Sequence, residues 1–261
     1  MYMEKTFVKY NTQNRVGYIT LNRPEKRNAL NDLFVEELKE IFTIAENDEK
    51  SKLIVLKANG EAFCAGADLA YLKKLQNNSY DENLVDSNNL KELFEQIYNL
   101  KKLVIAQVEG HAIAGGGGLA TVCDFVFSVP EAKFGFTEVK IGFVPAIIST
   151  FILRKIGETK TKELLFTGNL ISAEKAKNIG LINFVIEKES IEKEIKLFTE
   201  KICVNTSGES LKLTKKLISD VQTMSVREAL NYSAKLNARA RQTEDCKKGI
   251  ASFINKQKII W

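Results

Sequence analysis

Short apolar runs alternate with amphipathic segments through the first 190 residues of the chain. Each run is bounded by turn-forming residues, a pattern that is typical of buried or half-buried β-strands. Strands are therefore predicted at FVKY (7–10), VGYITL (16–21), KLIVLKA (52–58), LVIAQV (103–108) and FVFSV (125–129).

Two amphipathic helices are predicted between these strands. Asn31 is a suitable N-cap, and the apolar residues after it recur at helical spacing. The face that this first helix buries is formed by Phe34, Leu38, Ile41, Phe42 and Ala45. The second helix is predicted over 89–100, with Leu90, Leu93, Phe94 and Ile97 facing inward. Alternation of strands and helices indicates an α/β body.

The pattern changes near residue 190, and beyond Ile191 it is helical with no strand-length β-branched run. We therefore predict two regions, an α/β core over 1–190 and a helical region of three or four elements over 191–261. The helical region is expected to cover the core or to join subunits.

Composition narrows the class of protein. With 44% hydrophobic and 27% charged residues, the 261-residue chain is typical of globular proteins. It has no apolar run of membrane-spanning length and no leader pattern at its start, so we expect a cytoplasmic protein without membrane contact. The four cysteines form no CxxC pair and there is one histidine, which disfavours a metal site. The net charge of +5 is interspersed and predicts only a weak attraction for polyanions.

Four consecutive glycines, Gly115 to Gly118, stand between a strand-like segment and an apolar turn of helix. Close backbone packing is one explanation for such a run. The other is an anion, because free amide N–H groups and the helix dipole point to the same place. Neither GxxxxGK[ST] nor GxGxxG occurs here, which disfavours nucleotide hydrolysis and hydride transfer.

Four segments together resemble the enoyl-CoA hydratase/isomerase family, the crotonases. They are NRPEKRNALN (22–31), AFCAGADL (62–69), VEGHAIAGGGGLATVCD (108–124) and FGFTEVKIGFVPA (134–146), and TGNLISAEKAKNIGLINFVI (167–186) is similar as well. The resemblance implies a spiral of ββα units followed by helices that build a homotrimer or a dimer of trimers. It also implies an acyl-CoA thioester as substrate, with coenzyme A as part of that substrate and no other cofactor.

The resemblance further implies an oxyanion hole around the thioester carbonyl. The two matching amide groups are those of Ala67 and Gly115. Backbone donors of this kind stabilise the negative oxygen of an enolate. The residues implied to line the coenzyme A cleft are Lys26, Ala29, Leu30, Ala65, Ala67, Asp68, Leu69, Gly115 and Gly118, and either Lys26 or Arg27 is a candidate for a phosphate contact.

The acid and base depart from the family pattern. Family hydratases place one glutamate two residues before the alanine of the glycine helix and another in the FGxPE segment. Here Gly118 stands in the first position, and only the second glutamate, Glu138, is present. Its apolar neighbours in sequence, Phe134, Phe136, Val139 and Ile141, predict a raised pKa that suits proton transfer near neutrality.

Three functions stay open at this point. The first is a hydratase that adds water to an α,β-unsaturated acyl-CoA. The motif TEV…G…PA…IS is similar to that of hydratases that act on 3-methylglutaconyl-CoA and related branched substrates. The second is an isomerase that uses Glu138 alone. The third is a non-catalytic acyl-CoA or RNA-binding member, with lysines at 73, 74, 91, 101 and 102 spread among acids. His111, Cys64 and Asp124 are expected to serve structure.

Overall fold

The computed structural model describes residues 1–261. Its eleven strands form two sheets. The strands are β1 Tyr2–Glu4, β2 Val8–Gln13, β3 Val16–Leu21, β4 Leu53–Ala58, β5 Ala62–Cys64, β6 Leu103–Val108, β7 His111–Ile113, β8 Phe125–Ser128, β9 Lys133–Gly135, β10 Ile171–Ser172 and β11 Phe184–Val185. The larger sheet has the order β1-β2-β3-β4-β6-β8-β11, and the smaller has the order β10-β9-β7-β5.

The chain winds through the two sheets in a repeated step. In the pairs β4 and β5, β6 and β7, and β8 and β9, the first strand joins the larger sheet and the second joins the smaller. Within each sheet these strands run parallel to one another. Helices follow each pair, so the α/β class and the spiral of ββα units are confirmed.

Ten helices complete the fold. They are α1 Asp32–Asn47, α2 Leu69–Leu75, α3 Tyr80–Asn99, α4 Gly115–Thr121, α5 Ala146–Thr167, α6 Ala173–Asn178, α7 Lys188–Asn205, α8 Gly208–Val221, α9 Val226–Ala240 and α10 Glu244–Ile254. Helix α5 is broken at Gly157, whose backbone is not helical (φ 72°, ψ 171°). No helix combines the length and the apolar character that crossing a membrane requires.

Helix α1 forms as the sequence predicts. The side chain of Asn31 accepts a hydrogen bond from the Phe34 N–H at 2.9 Å, which satisfies one of the free amides of the first turn. The predicted inward face is fully buried against the larger sheet and α3. Burial of a large apolar side chain contributes roughly 1.5–3 kcal/mol, so this face is a main source of stability for the helix.

Several elements differ from the prediction. Strands β5, β7, β9, β10 and β11 are not predicted, because each has only two or three residues, too few for an apolar pattern. Strand β1 is not predicted either, because its residues are mostly exposed and show no apolar alternation. Helix α3 begins at Tyr80 rather than at residue 89, where Ser79 and Glu82 form a capping box. Its first turns are exposed and carry no apolar period, whereas Leu93, Phe94 and Ile97 are buried as expected and Leu90 is half-buried.

The C-terminal region consists of four helices, and the first of them begins at Lys188, just before the predicted boundary. Helix α7 covers the larger sheet, because Phe198 packs against Phe125, Phe127 and Phe184 with ring centroids 5.1–5.9 Å apart. The last two helices bury no residue fully in the single chain. Their exposed apolar side chains are Val226, Leu230, Ile250, Phe253 and Ile254.

Candidate active site

Two turns meet at one edge of the smaller sheet. Strands β5 and β7 are parallel neighbours, so the segments that follow them leave from the same edge. A β-carbon placed on Gly66 would lie 2.9 Å from the Cβ of Ala114 and 3.7 Å from the nitrogen of Gly115. The AGAD loop and the start of the glycine helix α4 are therefore in direct contact.

Neither of the two amides assigned to the oxyanion hole has an acceptor within the chain. Leu30 N–H donates to the Gly66 carbonyl at 2.7 Å, and Asp68 N–H donates to the Leu30 carbonyl at 2.8 Å. This parallel bridge leaves the N–H of Ala67, which lies between the two bonded groups, without a partner. Gly115 is the first residue of α4, where no intrahelical acceptor exists for its N–H.

The residue before the glycine helix has a strained backbone. Ala114 is the N-cap of α4 and has φ 50° and ψ −122°, a conformation that costs a non-glycine residue about 1–3 kcal/mol. Its N–H donates to the Gly135 carbonyl at 2.8 Å, and the Gly66 turn packs against its side chain. The surrounding structure therefore imposes the bend that exposes the Gly115 amide.

Close packing also accounts for the four glycines, since a β-carbon on any of them would meet a neighbour. The neighbours are the Leu30 Cδ1 at 3.3 Å for Gly115, the Cys64 carbonyl for Gly116, the Phe136 ring at 3.0 Å for Gly117 and the Phe94 ring at 2.8 Å for Gly118. The two explanations for the run coexist, because the same turn packs tightly and leaves an amide free.

A buried ion pair ties the AGAD loop to the NRP segment, and sequence reasoning missed it. Arg23 Nη2 lies 2.7 Å from Asp68 Oδ2, with 11% and 8% of the two side chains exposed. The other oxygen of Asp68 caps α2 by accepting from Ala70 and Tyr71 N–H. Burial alone would raise the pKa of Asp68, but these hydrogen bonds and Arg23 outweigh it and lower the pKa. Both oxygens of the Asp68 carboxylate therefore stabilise the fold of the loop.

Hydrogen bonds within the NRPEKRNALN segment also fix the position of Arg23. Its Nη1 donates to the Ala29 carbonyl at 2.9 Å, and its N–H donates to the side chain of Asn28 at 2.8 Å. The Asn28 amide then donates to the carbonyls of Asn59 and Ala62. From sequence alone, an arginine at the end of a strand is expected to lie on the surface. Only the three-dimensional contacts show that Arg23 and Asn28 stabilise the loops of the site.

The remaining residues assigned to the coenzyme A cleft fall into two groups. Ala29 and Leu30 are buried and Ala65 is half-buried. Lys26 and Leu69 are exposed, and Lys26 lies in a 3₁₀ turn over Pro24–Lys26.

Glu138 starts a 3₁₀ turn over Glu138–Ile141 that follows β9. Its Oε2 atom is buried and has no hydrogen-bond partner. Burial raises the pKa of Glu138, partly opposed by a hydrogen bond from its own N–H. The predicted apolar setting is half right, because Phe134 and Phe136 are buried whereas Val139 and Ile141 point outward with 37% and 72% exposed. Those two residues flank Glu138 in sequence but lie on the outer side of the turn.

Position 118 has no room for a second carboxylate. Gly118 is buried, and a β-carbon there would lie 2.8 Å from Phe94 Cζ and 3.2 Å from Ile148 Cδ1. Phe94 packs edge-on against Phe151 of α5, with centroids 6.4 Å apart. Apolar side chains from α3 and α5 therefore occupy the direction in which the first family glutamate would project.

The contacts of three other candidate residues lie within the fold. Cys64 is fully buried, and burial raises its pKa to about 12, so its thiol is inert. His111 is exposed and its Nδ1 accepts from the Lys133 N–H at 3.2 Å. Asp124 accepts from the Val104 N–H and from Lys215 Nζ, each at 2.7 Å.

The chain is similar in sequence and in fold to known proteins. The model of the family described as enoyl-CoA hydratase/isomerase matches residues 11–261. The chain is 35% identical over 246 residues to the mitochondrial enoyl-CoA hydratase of Pongo abelii, covering 94% of this chain and 83% of that protein. It is 32% identical over 263 residues to the short-chain-enoyl-CoA hydratase of Clostridium acetobutylicum, covering 98% of each. The crystal structure of an enoyl-CoA hydratase from Bacillus anthracis matches with a TM-score of 0.90 at 28% identity, covering 98% and 99% of the two chains.

Proposed function

The chain belongs to the enoyl-CoA hydratase/isomerase family, and on that premise we propose that it is a lyase that adds water across the double bond of an α,β-unsaturated acyl-CoA thioester. One observation carries the proposal. The Oε2 atom of Glu138 is buried, lacks any partner in the chain and belongs to a carboxyl group of raised pKa. Such a group is suited to exchanging a proton with a reacting molecule near neutrality.

The thioester carbonyl is activated by main-chain donors in this proposal. The N–H groups of Ala67 and Gly115 bind its oxygen, and the N-terminal end of α4 adds the favourable end of a helix dipole. Charge collects on that oxygen when the enolate forms, so these donors act most strongly in the transition state. Losing one such donor typically costs about 2.7–4 kcal/mol of barrier lowering.

Glu138 transfers the proton in both halves of the reaction. Its carboxylate accepts a proton from water as the water oxygen bonds to C3 and the double bond shifts to the enolate. The protonated Glu138 then gives that proton to C2, the carbonyl re-forms, and the carboxylate is regenerated. One hydroxyl group and one hydrogen have been added, so a single carboxyl group is sufficient for the proton balance.

A branched, carboxylated substrate such as 3-methylglutaconyl-CoA is part of the proposal. Phe94 and Ile148 occupy the place of the first family glutamate, so the chain offers no carboxylate there to orient water. A distal carboxylate on the substrate would accept a hydrogen bond from the water and supply that orientation.

The same observation favours an isomerase as the second candidate. Moving a double bond from C3 to C2 requires a proton to be taken from C2 and returned at C4, which one carboxyl group does without water. Both reactions use the same oxyanion hole, so they differ only in whether water reaches the acyl chain beside Glu138.

The two candidates are separated by paired assays. A hydratase removes the ultraviolet absorbance of the conjugated thioester when crotonyl-CoA or 3-methylglutaconyl-CoA is added. An isomerase leaves those substrates unchanged and incorporates deuterium from heavy water into C2 and C4 of a 3-enoyl-CoA. Glu138→Gln should abolish either activity, and Glu131→Gln, at an exposed glutamate ahead of β9, is the matched control. Absence of both activities in the wild-type protein would refute the proposed function.

The proposal includes assembly as a homotrimer or a dimer of trimers. Large apolar side chains are exposed beside the site and on the last two helices. Those beside the site include Ile141, Phe143 and Val144, each more than 60% exposed. Sedimentation equilibrium should give three or six times the 29.4 kDa chain mass. A monomer at micromolar concentration would contradict this part of the proposal.

RNA binding has no support from the lysines considered for it. Lys102 Nζ donates to the carbonyls of Ala45 and Asp48 and to the Ser51 hydroxyl, so it serves the fold. Lys91 is exposed and is followed by Glu92, and Lys74 Nζ lies 3.7 Å from Asp32 Oδ2.

A further inference from the structure

Helix α4 is a poor helix by its own sequence. It has seven residues, of which the first four are glycines. Each glycine costs roughly 1 kcal/mol relative to alanine in a helix, and isolated helices this short are not stable in water. Yet the direction of the Gly115 amide depends on this helix. Something outside α4 must therefore hold it in shape.

The carboxyl end of α4 is held by a lysine. Lys155 of α5 donates from Nζ to the Thr121 carbonyl at 2.9 Å and to the Cys123 carbonyl at 3.2 Å. The last carbonyl groups of a helix have no intrahelical partner, and a cation there also interacts favourably with the negative end of the helix dipole. The nearby carboxylate of Asp124 is paired with Lys215 rather than with Lys155. Burial lowers the pKa of Lys155, and the nearby Cys123 and Asp124 oppose that shift. The hydrogen bonds of Nζ both go to carbonyl groups at the end of α4.

The carboxylate next to this end is already used. Asp124 is paired with Lys215 at 2.7 Å and accepts from the Val104 N–H, which fastens the chain after α4 to β6 and α8. Thr121 and Cys123 bond back to the Gly117 and Leu119 carbonyls. Lys155 is thus the cation that serves the carbonyl groups at the end of the helix itself.

We propose that Lys155 is a positioning residue for thioester activation. By fixing the carboxyl end of α4 and offsetting its negative charge, the ammonium group holds the Gly115 amide in place at the opposite end and preserves the positive potential there. This inference rests on the proposed function, because it concerns the same oxyanion hole.

The chain supplies a matched control. Lys102 makes the same kind of contact at the carboxyl end of α1, where Nζ donates to the Ala45 carbonyl at 2.8 Å and to the Asp48 carbonyl at 2.6 Å. Burial lowers the pKa of Lys102 as well. Helix α1 contributes no group to the oxyanion hole, so Lys102 separates loss of a buried cap from loss of oxyanion positioning.

The test compares Lys155→Met with Lys102→Met on the enoyl-CoA substrate that the wild-type enzyme hydrates. Both variants should melt at a lower temperature than the wild type. K155M should lose about tenfold or more in kcat with KM little changed, whereas K102M should keep wild-type kcat. Lys155→Arg, which retains the cation, should restore most of the kcat.

Equal kcat values in K155M and K102M would overturn the inference while leaving the hydratase assignment intact. Should K155M not fold, Lys155→Gln replaces it, since the amide keeps a donor but carries no charge. A K155Q enzyme with wild-type kcat would overturn the inference too. An inactive wild-type protein would instead refute the proposed function, so the two failures are distinguishable.

Discussion

Gly66 packs against Ala114 so closely that a β-carbon on residue 66 would lie 2.9 Å from the Cβ of Ala114. Both residues have positive φ, 92° for the glycine and 50° for the alanine. The contact joins the loop that carries the Ala67 amide to the bend that exposes the Gly115 amide. The spacing of the two donors is therefore set by direct packing of the Gly66 backbone against the methyl group of Ala114 and the carbonyl of Ile113.

Gly66→Ala should separate the two loops and reduce kcat by about a hundredfold, the loss typical of removing one oxyanion donor. Gly180→Ala is the matched control, because Gly180 also has positive φ (82°) but no atom lies within 4 Å of a β-carbon placed there. Both variants carry the backbone strain of alanine at positive φ, so both should lose stability. Steady-state kinetics that give the two variants the same kcat would contradict the role of the Gly66 contact.

Glu138→Gln should stabilise the protein near neutral pH. A carboxyl group whose folded pKa is raised opposes folding above that pKa, and the penalty is absent below the ordinary glutamate pKa. Removing the charge should therefore increase the free energy of unfolding by about 1 kcal/mol at neutral pH, with the gain shrinking as the pH falls toward about 4. Urea titrations at several pH values measure this difference. A gain that grows on acidification would be inconsistent with a raised pKa.

The sequence predicts the parts of this fold that depend on local pattern. Strands β4 and β6 and the buried face of α1 lie where apolar runs and helical spacing place them. The sequence pattern does not predict strand β1, because pairing with β2 defines this strand and burial does not. It does not predict the exposed start of α3 either, because a capping box defines it.

The candidate site is predictable only in outline. The motifs identify the two loops and Glu138, but the supports of the site come from distant contacts. Phe94 meets Gly118 across two helices, and Arg23 meets Asp68 between two loops. No periodicity links such residues, since their proximity exists only once the sheets have formed.

The contact between Gly118 and Phe94 should appear as an energetic coupling. Gly118→Ala gains about 1 kcal/mol of helix propensity but collides with the ring of Phe94, and such overpacking typically costs about 1–3 kcal/mol. In a Phe94→Leu background the collision is relieved, so G118A should cost at least about 0.5 kcal/mol less there. Phe42→Leu, at a buried phenylalanine of α1, should show no such coupling. If the changes in unfolding free energy for G118A and F94L are additive, the Phe94 ring does not occupy the space beside residue 118.

Asp68→Asn should weaken the AGAD loop in a pH-dependent way. The pKa of Asp68 is lowered in the folded protein, so its contribution is present above the ordinary aspartate pKa and is lost as the pH falls through the folded value. Breaking the buried pair with Arg23 should cost about 3 kcal/mol at neutral pH and less in acid. Asp81→Asn, in the exposed first turn of α3, is the control. An equal loss at all pH values would exclude the ion pair as the cause.

The carbonyl stretching frequency of a bound enoyl-CoA tests most directly whether two main-chain amides donate hydrogen bonds to the thioester oxygen. Crotonyl-CoA labelled with carbon-13 at the thioester carbonyl is bound to Glu138→Gln enzyme, which holds the substrate without turnover, and examined by infrared difference spectroscopy. The frequency should fall below that of the same thioester in water and return toward it when Gly66→Ala is added. A bound carbonyl that absorbs at the frequency measured in water would contradict the account.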